Sequence, residues 1–318
     1  MSPALAARVQ QAVSGQQASA ERRRPLKSLL RLLTLVFVSA SVAGVVHFQR
    51  QRAQELESLR ASLLDKLERQ ANQLSRSDRE LPARVSAAVA LHATPSYPGD
   101  QIAEGLRSEA GLTQALTAAT LYLRGPLEGL GQPARVAELA ASSTKDAFAL
   151  CLLAPPKTRT EQALRFKASA AYAHGKQAEA MSQLERVAPL LQALPLLGAD
   201  WKRRIANAES LGALQVLQKL LDAAPLEAGV HAAKARQLLL VLDETASASG
   251  PTELDGERKH WVRVVLADLT NNETRLRFRH EVDPGWLSDA TRAQYAGGVD
   301  GCALAMDLRQ AAANLPLR

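Results

Sequence analysis

Residues 261–282 read WVRVVLADLTNNETRLRFRHEV. Two runs rich in β-branched and aromatic residues, Trp261–Leu269 and Thr274–Val282, flank Asn271-Asn272, a pair suited to a tight turn. The stretch predicts an antiparallel hairpin. In its second arm Leu276, Phe278 and His280 alternate with Arg275, Arg277 and Arg279, the period-two pattern of one buried and one solvated face.

Upstream, Arg236–Leu242 (RQLLLVL) predicts another strand, reached from a short helix at Leu226, and Ser247–Arg258 predicts a polar loop. Downstream, helix is expected from Leu287 through Tyr295 and, after Gly297-Gly298, from Cys302 to about Ala313. These pieces form a strand-hairpin-helix part over 236–313. Before it lies a stretch at 160–224 expected to be a helical insertion. Its helices run from Thr160 through Tyr172, from Gln177 to Leu191 and from Asp200 to Ala223, with Pro195 and Pro225 as punctuation. Further toward the N-terminus, Gln101–Leu116 and Gln132–Ala141 read as helices. Thr120–Arg124 (TLYLR) reads as a strand stopped by Gly125-Pro126, and Asp146–Leu153 (DAFALCLL) as a short buried strand. The fold class expected for 82–318 is therefore a helix-rich α+β domain with a small, mostly antiparallel or mixed sheet.

Within the insertion, Ala168-Ser169-Ala170-Ala171-Tyr172-Ala173-His174-Gly175, followed by Ala178, Ala180 and Pro189, resembles part of one tetratricopeptide repeat. A Met stands at 181 where that pattern has a small residue, and no second copy follows at its period. Arrays of this kind need about three repeats, so ordinary helical-hairpin chemistry accounts for the likeness.

Leu32–Phe48 (LLTLVFVSASVAGVVHF) carries no formal charge with His47 neutral, and ten of its seventeen residues are Leu, Val or Phe. Extended back to Leu29 it has 20 residues, about the number that spans a hydrocarbon core of roughly 30 Å. It is apolar all round, unlike an amphipathic surface helix. The expected reading is one transmembrane helix at 29–48. The competing readings are a signal peptide cleaved near the small residues Ser39–Gly44, and a buried core helix; the long preceding tail argues against the first. Arg22, Arg23, Arg24, Lys27 and Arg31 form a membrane-flanking basic cluster, against only Arg50 and Arg52 in the ten residues after Phe48. By the positive-inside rule the 1–28 tail is cytoplasmic and the bulk is exported. Residues 49–81 lack Gly and Pro, and Leu56, Leu59, Leu63, Leu67 and Leu74 make a stripe at helical spacing. A helical stalk continuing the span is expected there, either dimerised as a parallel coiled coil or packed on its own domain.

The net charge of +7 is concentrated at the start: residues 1–31 carry +5, leaving +2 for the remaining chain. A nucleic-acid-binding domain is disfavoured by that distribution. Arg outnumbers Lys 29 to 10 in an Ala-rich chain, a pattern of GC-rich bacterial coding that makes the exported space a periplasm and the membrane the inner one.

Concentrated catalytic motifs are missing. No CxxC, HExxH, G-x-S-x-G or phosphate-binding Gly loop occurs, and Gly297-Gly298 with Gly301 joins helical segments without a trailing Lys-Ser/Thr. His92, His174, His231 and His260 stand singly, and Asp255 with Glu257 sits in a polar loop. Asn272-Glu273-Thr274 matches a glycosylation sequon but serves equally as turn sequence. Cys151 and Cys302 are the two cysteines, an even count that in an oxidising compartment suggests a disulfide; two buried thiols are the alternative. No cofactor, metal or catalytic residue is predicted. The functional expectation is a non-enzymatic, membrane-anchored binding or scaffolding module with a protein or envelope partner. The alternatives are a ligand-binding sensory input domain working with a separate partner, and an envelope-polymer hydrolase with scattered catalytic residues.

Overall fold

The computed structural model describes residues 3–128, 130, 132–171, 181–244 and 259–314, with side chains before 32 and at 34, 133 and 294–297 outside the description. In chain order the described elements are α1 (Pro3–Ala71), α2 (Arg76–Arg79), α3 (Leu81–His92), β1 (Gln101–Ile102), α4 (Glu109–Thr117), β2 (Thr120–Pro126), α5 (Pro133–Ser142), α6 (Ala147–Leu153), α7 (Glu161–Ala171), β3 (Leu184–Arg186), α8 (Val187–Ala193), α9 (Ala199–Ala206), α10 (Leu211–Ala223), α11 (Leu226–Ala232), β4 (Gln237–Glu244), β5 (His260–Asp268), β6 (Glu273–Val282) and α12 (Asp289–Asn314). Two compact units are formed: Met1–Leu63 with Ala208–Val216, and Leu64–Asn207 with Leu217–Arg318.

In the first unit the backbone is helical from Pro3. Every large apolar side chain described between Leu32 and Phe48 is 41 to 74% exposed. Near the unit's end the Arg60 guanidinium donates to the Ala208 carbonyl at 2.7 Å. Among the described residues no helix is long and apolar enough to cross a membrane. The expected span at 29–48 includes residues 29–31 and 34, whose side chains lie outside the description.

The second unit is helix-rich α+β around one mixed six-stranded sheet, order β1-β6-β5-β4-β2-β3. β2 runs parallel to both β3 and β4, whereas β4-β5, β5-β6 and β1-β6 are antiparallel. The hairpin stands as the sequence predicts, and Asn272 takes the turn's left-handed conformation at φ 55°. On one face Tyr122, Leu239, Val241, Val264, Leu266 and Phe278 pack with Phe148 of α6 and with Cys302 and Leu304 of α12. The alternate residues Leu121, Leu123, Leu238, Leu240 and Leu242 are buried too, so β2 and β4 are covered on both faces. That explains their unbroken apolar runs.

Several elements differ from the expected ones, each for a local reason. Asp146–Leu153 is helix, not strand. The Asp146 side chain accepts from the Ala149 N–H at 2.9 Å and caps α6, while a short apolar run carries no periodicity to tell the two apart. Of the helix expected at 177–191 the described part, 181–191, holds strand β3 ahead of α8, and Pro189 lies in the first turn of α8, where its missing N–H costs nothing. The expected insertion at 160–224 thus contributes a strand to the sheet. Residues 172–180, which carry most of the repeat-like stretch, lie outside the described residues. The helix expected at 200–223 splits where Ser210 caps α10, its hydroxyl accepting from the Ala213 N–H. The helix expected from Gln101 begins as edge strand β1, and α4 starts only after its Ser108 cap. The stalk is not one helix through 81: it stops at Ala71, and a capping box between Ser75 and Asp78 nucleates α2. Leu63, Leu67 and Leu74 of its stripe are buried within the chain, so only the half-buried Leu56 and Leu59 remain for a second copy. At the other end, α12 runs unbroken through Gly297-Gly298.

The arginine face of the hairpin is covered rather than solvated. Residues 94–100 cross it as a strap. Arg263, 3% exposed, donates to the carbonyls of Thr94 (2.7 Å), Pro95 (3.1 Å) and Ser96 (3.3 Å). Arg277 reaches the Gly99 carbonyl at 2.7 Å, Arg279 pairs with Glu244, and the Tyr97 ring lies 5.4 to 5.9 Å from all three guanidiniums. The strap turns at Gly99, φ +100°, where an L side chain is strained even though space is open. Replacing Gly99 with Ala is expected to lower unfolding free energy by about 1–2 kcal/mol in urea titrations; an unchanged midpoint would show that the strap does not depend on that conformation.

Candidate functional site

Between β3 and β4, on either side of β2, the parallel strands present a topological switch, and open α/β sheets favour ligand crevices outside the carboxyl ends of such strands. At those ends lies a buried ionic cluster. Arg124 of β2 donates to Asp146 at 2.7 Å and to Asp243 of β4 at 3.2 and 3.4 Å. His260 of β5 lies 3.4 Å from the same Asp243 carboxylate. Burial favours the neutral form of each group, but Arg124 keeps Asp243 ionised below the usual carboxylate range, with His260 adding to the effect; Asp243 and Asp146 in turn hold Arg124 charged. Neighbouring Gly125 sits so close to Leu139 of α5 that a Cβ would meet it at 1.9 Å. The cluster is closed and internally satisfied. It is a structural lock joining β2, β4, α6 and β5.

The open chemistry is next to it, in a cavity of about 150 Å³ whose walls include Arg159, His280, Asp283, Trp286, Asp300 and Asp307. Asp300 and Asp307 lie seven apart on α12 and so share a helix face. Their surroundings differ. Burial tends to raise Asp307, but His280 at 3.3 Å and Arg159 at 2.7 Å outweigh it and hold the carboxyl below its ordinary value. Asp300 is 4% exposed and has no partner for Oδ2 among the described residues. Burial pushes its carboxyl up to about 7, with Asp283 adding to the rise and His260 and Arg159 opposing it. The remaining acids are matched: Lys259 lies 2.9 Å from Glu281 and 3.8 Å from Asp283.

Sequence reading leaves His260 without a role and sets His280 on the hairpin's buried face; the first lies at the cluster and the second at the cavity. Asp300 it does not single out. The available signal was an Asp at the edge of an Ala/Leu-rich helical face, with a second Asp one helical heptad on. Cys151 and Cys302, far apart in sequence, form a disulfide between α6 and α12 with Cα atoms 5.1 Å apart, so Cys151 sits in a helix and Cys302 in mid-helix rather than at a helix start. His92 is a core histidine: burial, aided by Arg277, lowers it to about 4, and its ring lies 3.3 Å from the Thr274 hydroxyl. His231 pairs with Glu185 at 3.1 Å, away from the cavity. His174, Asp255, Glu257 and the side chains of Arg22, Arg23, Arg24, Lys27 and Arg31 lie outside the description. Among the described residues no cluster of three or more His, Cys, Asp or Glu is arranged to hold a metal.

No family model matches this chain, nor does any curated protein or any solved structure.

A proton held by Asp300 in the folded chain but not in the unfolded one links stability to pH. Because the folded value, about 7, exceeds the unfolded carboxylate value, the folded state binds more protons between them, and stability falls as pH rises across that window. Asp300→Asn removes the buried charge and is expected to be more stable than wild type at pH 8, by a margin that narrows by roughly 2 kcal/mol or more on going to pH 5. His92, which works in the opposite sense, is common to both proteins and cancels in the difference. Urea unfolding at the two pH values reads it; a gap independent of pH would contradict the assignment.

Proposed function

We propose that this chain is a single-pass inner-membrane protein, N-terminus in the cytoplasm, whose exported α+β unit is a non-enzymatic binding module of the cell envelope. The observation that carries the reading is the helix from Leu32 to Phe48, whose large apolar side chains face outward on all sides with 41 to 74% exposure. Water rarely surrounds so much contiguous apolar surface; lipid does. The basic residues from Arg22 to Arg31 supply the cytoplasmic flank.

The disulfide between Cys151 and Cys302 supports export, since such bonds persist in oxidising compartments. The binding part of the reading rests on the cavity at Asp300, which combines concavity, an aromatic rim and a strongly shifted carboxyl. The same cavity favours a second reading, a sensory input domain that takes a small ligand and signals through a separate membrane partner. Two carboxyls pushed apart in pKa are also what an envelope-polymer hydrolase needs, but Asp307 is committed to Arg159 and His280 and is not free to act as the base beside the acid.

A C-terminal tag on the full chain should be digested by protease added to intact spheroplasts. Protection until lysis would place the α+β unit in the cytoplasm and overturn the export half of the reading.

A further inference from the structure

We propose that the cavity beside Asp300 is a binding site for a primary ammonium group, the head of a small organic amine. Asp300 Oδ2, in the cavity wall, is a buried carboxylate oxygen left without a hydrogen bond among the described residues. An unsatisfied buried acceptor costs about 1–3 kcal/mol, so a ligand that donates to it recovers that cost on binding. Neighbouring acids do not compete for the ligand's charge. Asp307 is held by Arg159 and His280, and Glu281 and Asp283 lie against Lys259. The site therefore has one carboxylate to complement, which takes one ammonium head and repels anions; a second charge on the same ligand stays in solvent.

The cation is organic rather than metallic by its donor count. Mg²⁺ and Ca²⁺ take six or more oxygens, while one uncommitted carboxylate is present and no ligand cluster of three forms among the described residues. An ammonium carries three donors and needs few acceptors. The remaining walls suit the carbon chain behind it. Val282, Ala303 and Leu304 line the cavity, and Trp286, 43% exposed at its edge, extends that apolar wall with its ring 5.9 Å from the Arg159 guanidinium. About 150 Å³ holds far more than the single water that Oδ2 alone would need. The inference names the ligand class of the binding module proposed above and rests on that reading for its biological sense, but its chemistry holds in either compartment.

The test is calorimetric titration of the full chain in detergent with 1,5-diaminopentane at neutral pH. Its controls are 1,5-pentanediol, the neutral analogue of the same length, and MgCl₂. Saturable binding of the diamine, at least tenfold tighter than the diol, is expected. Asp300→Asn should weaken it tenfold or more and Trp286→Leu several-fold, while Glu227→Gln, a surface carboxylate on α11, should leave it unchanged. The stability measurement on Asp300→Asn described above establishes that the variant folds, and Trp286→Leu serves as the independent probe. Equal binding of diol and diamine, displacement by equimolar Mg²⁺, or undiminished binding by Asp300→Asn would each overturn the proposal. These outcomes are separate from the protease result: an exported unit that ignores amines keeps its topology and loses this ligand.

Discussion

Arg124 occupies the position on which the second unit depends. It lies on the central parallel strand pair, is largely removed from water, and takes its countercharges from Asp146 at the start of α6 and Asp243 near the end of β4. Removing one partner of such a cluster strands the others and costs about 3–5 kcal/mol, a large share of a domain's net stability. The geometry leaves little slack. Gly301 of α12 packs so that a Cβ there would meet the Phe148 backbone at 3.4 Å and Arg124 at 3.5 Å, which seats the longest helix of this unit directly over the cluster. The disulfide then ties α12 to α6 on the same side of the sheet.

From that arrangement the cavity follows. With α12 held by Gly301 and Cys302, Asp300 immediately precedes them and cannot swing away from the sheet. His260 stands between the two assemblies, 3.4 Å from Asp243 on one side and acting on Asp300 through its field on the other. The closed cluster gives rigidity, while the adjacent cavity keeps a polar group unsatisfied. On the opposite edge of the hairpin the arginines show the contrary solution, with carbonyls of the 94–100 strap and Glu244 absorbing their donors.

Much of the fold was legible because its longest strands have clean signals. β4, β5 and β6 were readable from VLVL-type runs and the Asn-Asn turn, and β2 from TLYLR before Gly125-Pro126. What failed were short apolar segments whose state tertiary contacts decide: α6, identical in pattern to a buried strand until Asp146 caps it, and β3, three residues recruited from a helical sequence by pairing with β2. The arginine stripe on β6 obeys period two in either case; nothing local announces that a Pro/Gly segment 175 or so residues earlier will cover it. The cavity was the least legible part. Its acid comes from the last helix, its histidine from the hairpin, its apolar lining from both and its cation from the loop before α7. No spacing in the chain links Arg159, His280 and Asp300; only the sheet order does.

The proposed export of a disulfide-bonded domain behind an apolar N-terminal helix is tested most directly by the state of the two cysteines. The full chain should be isolated from membranes without reductant, denatured, alkylated and weighed by mass spectrometry. An oxidised Cys151–Cys302 pair predicts that no alkyl group is added unless reductant is supplied first. Two alkylated cysteines in the unreduced chain would contradict an exported, disulfide-bonded domain.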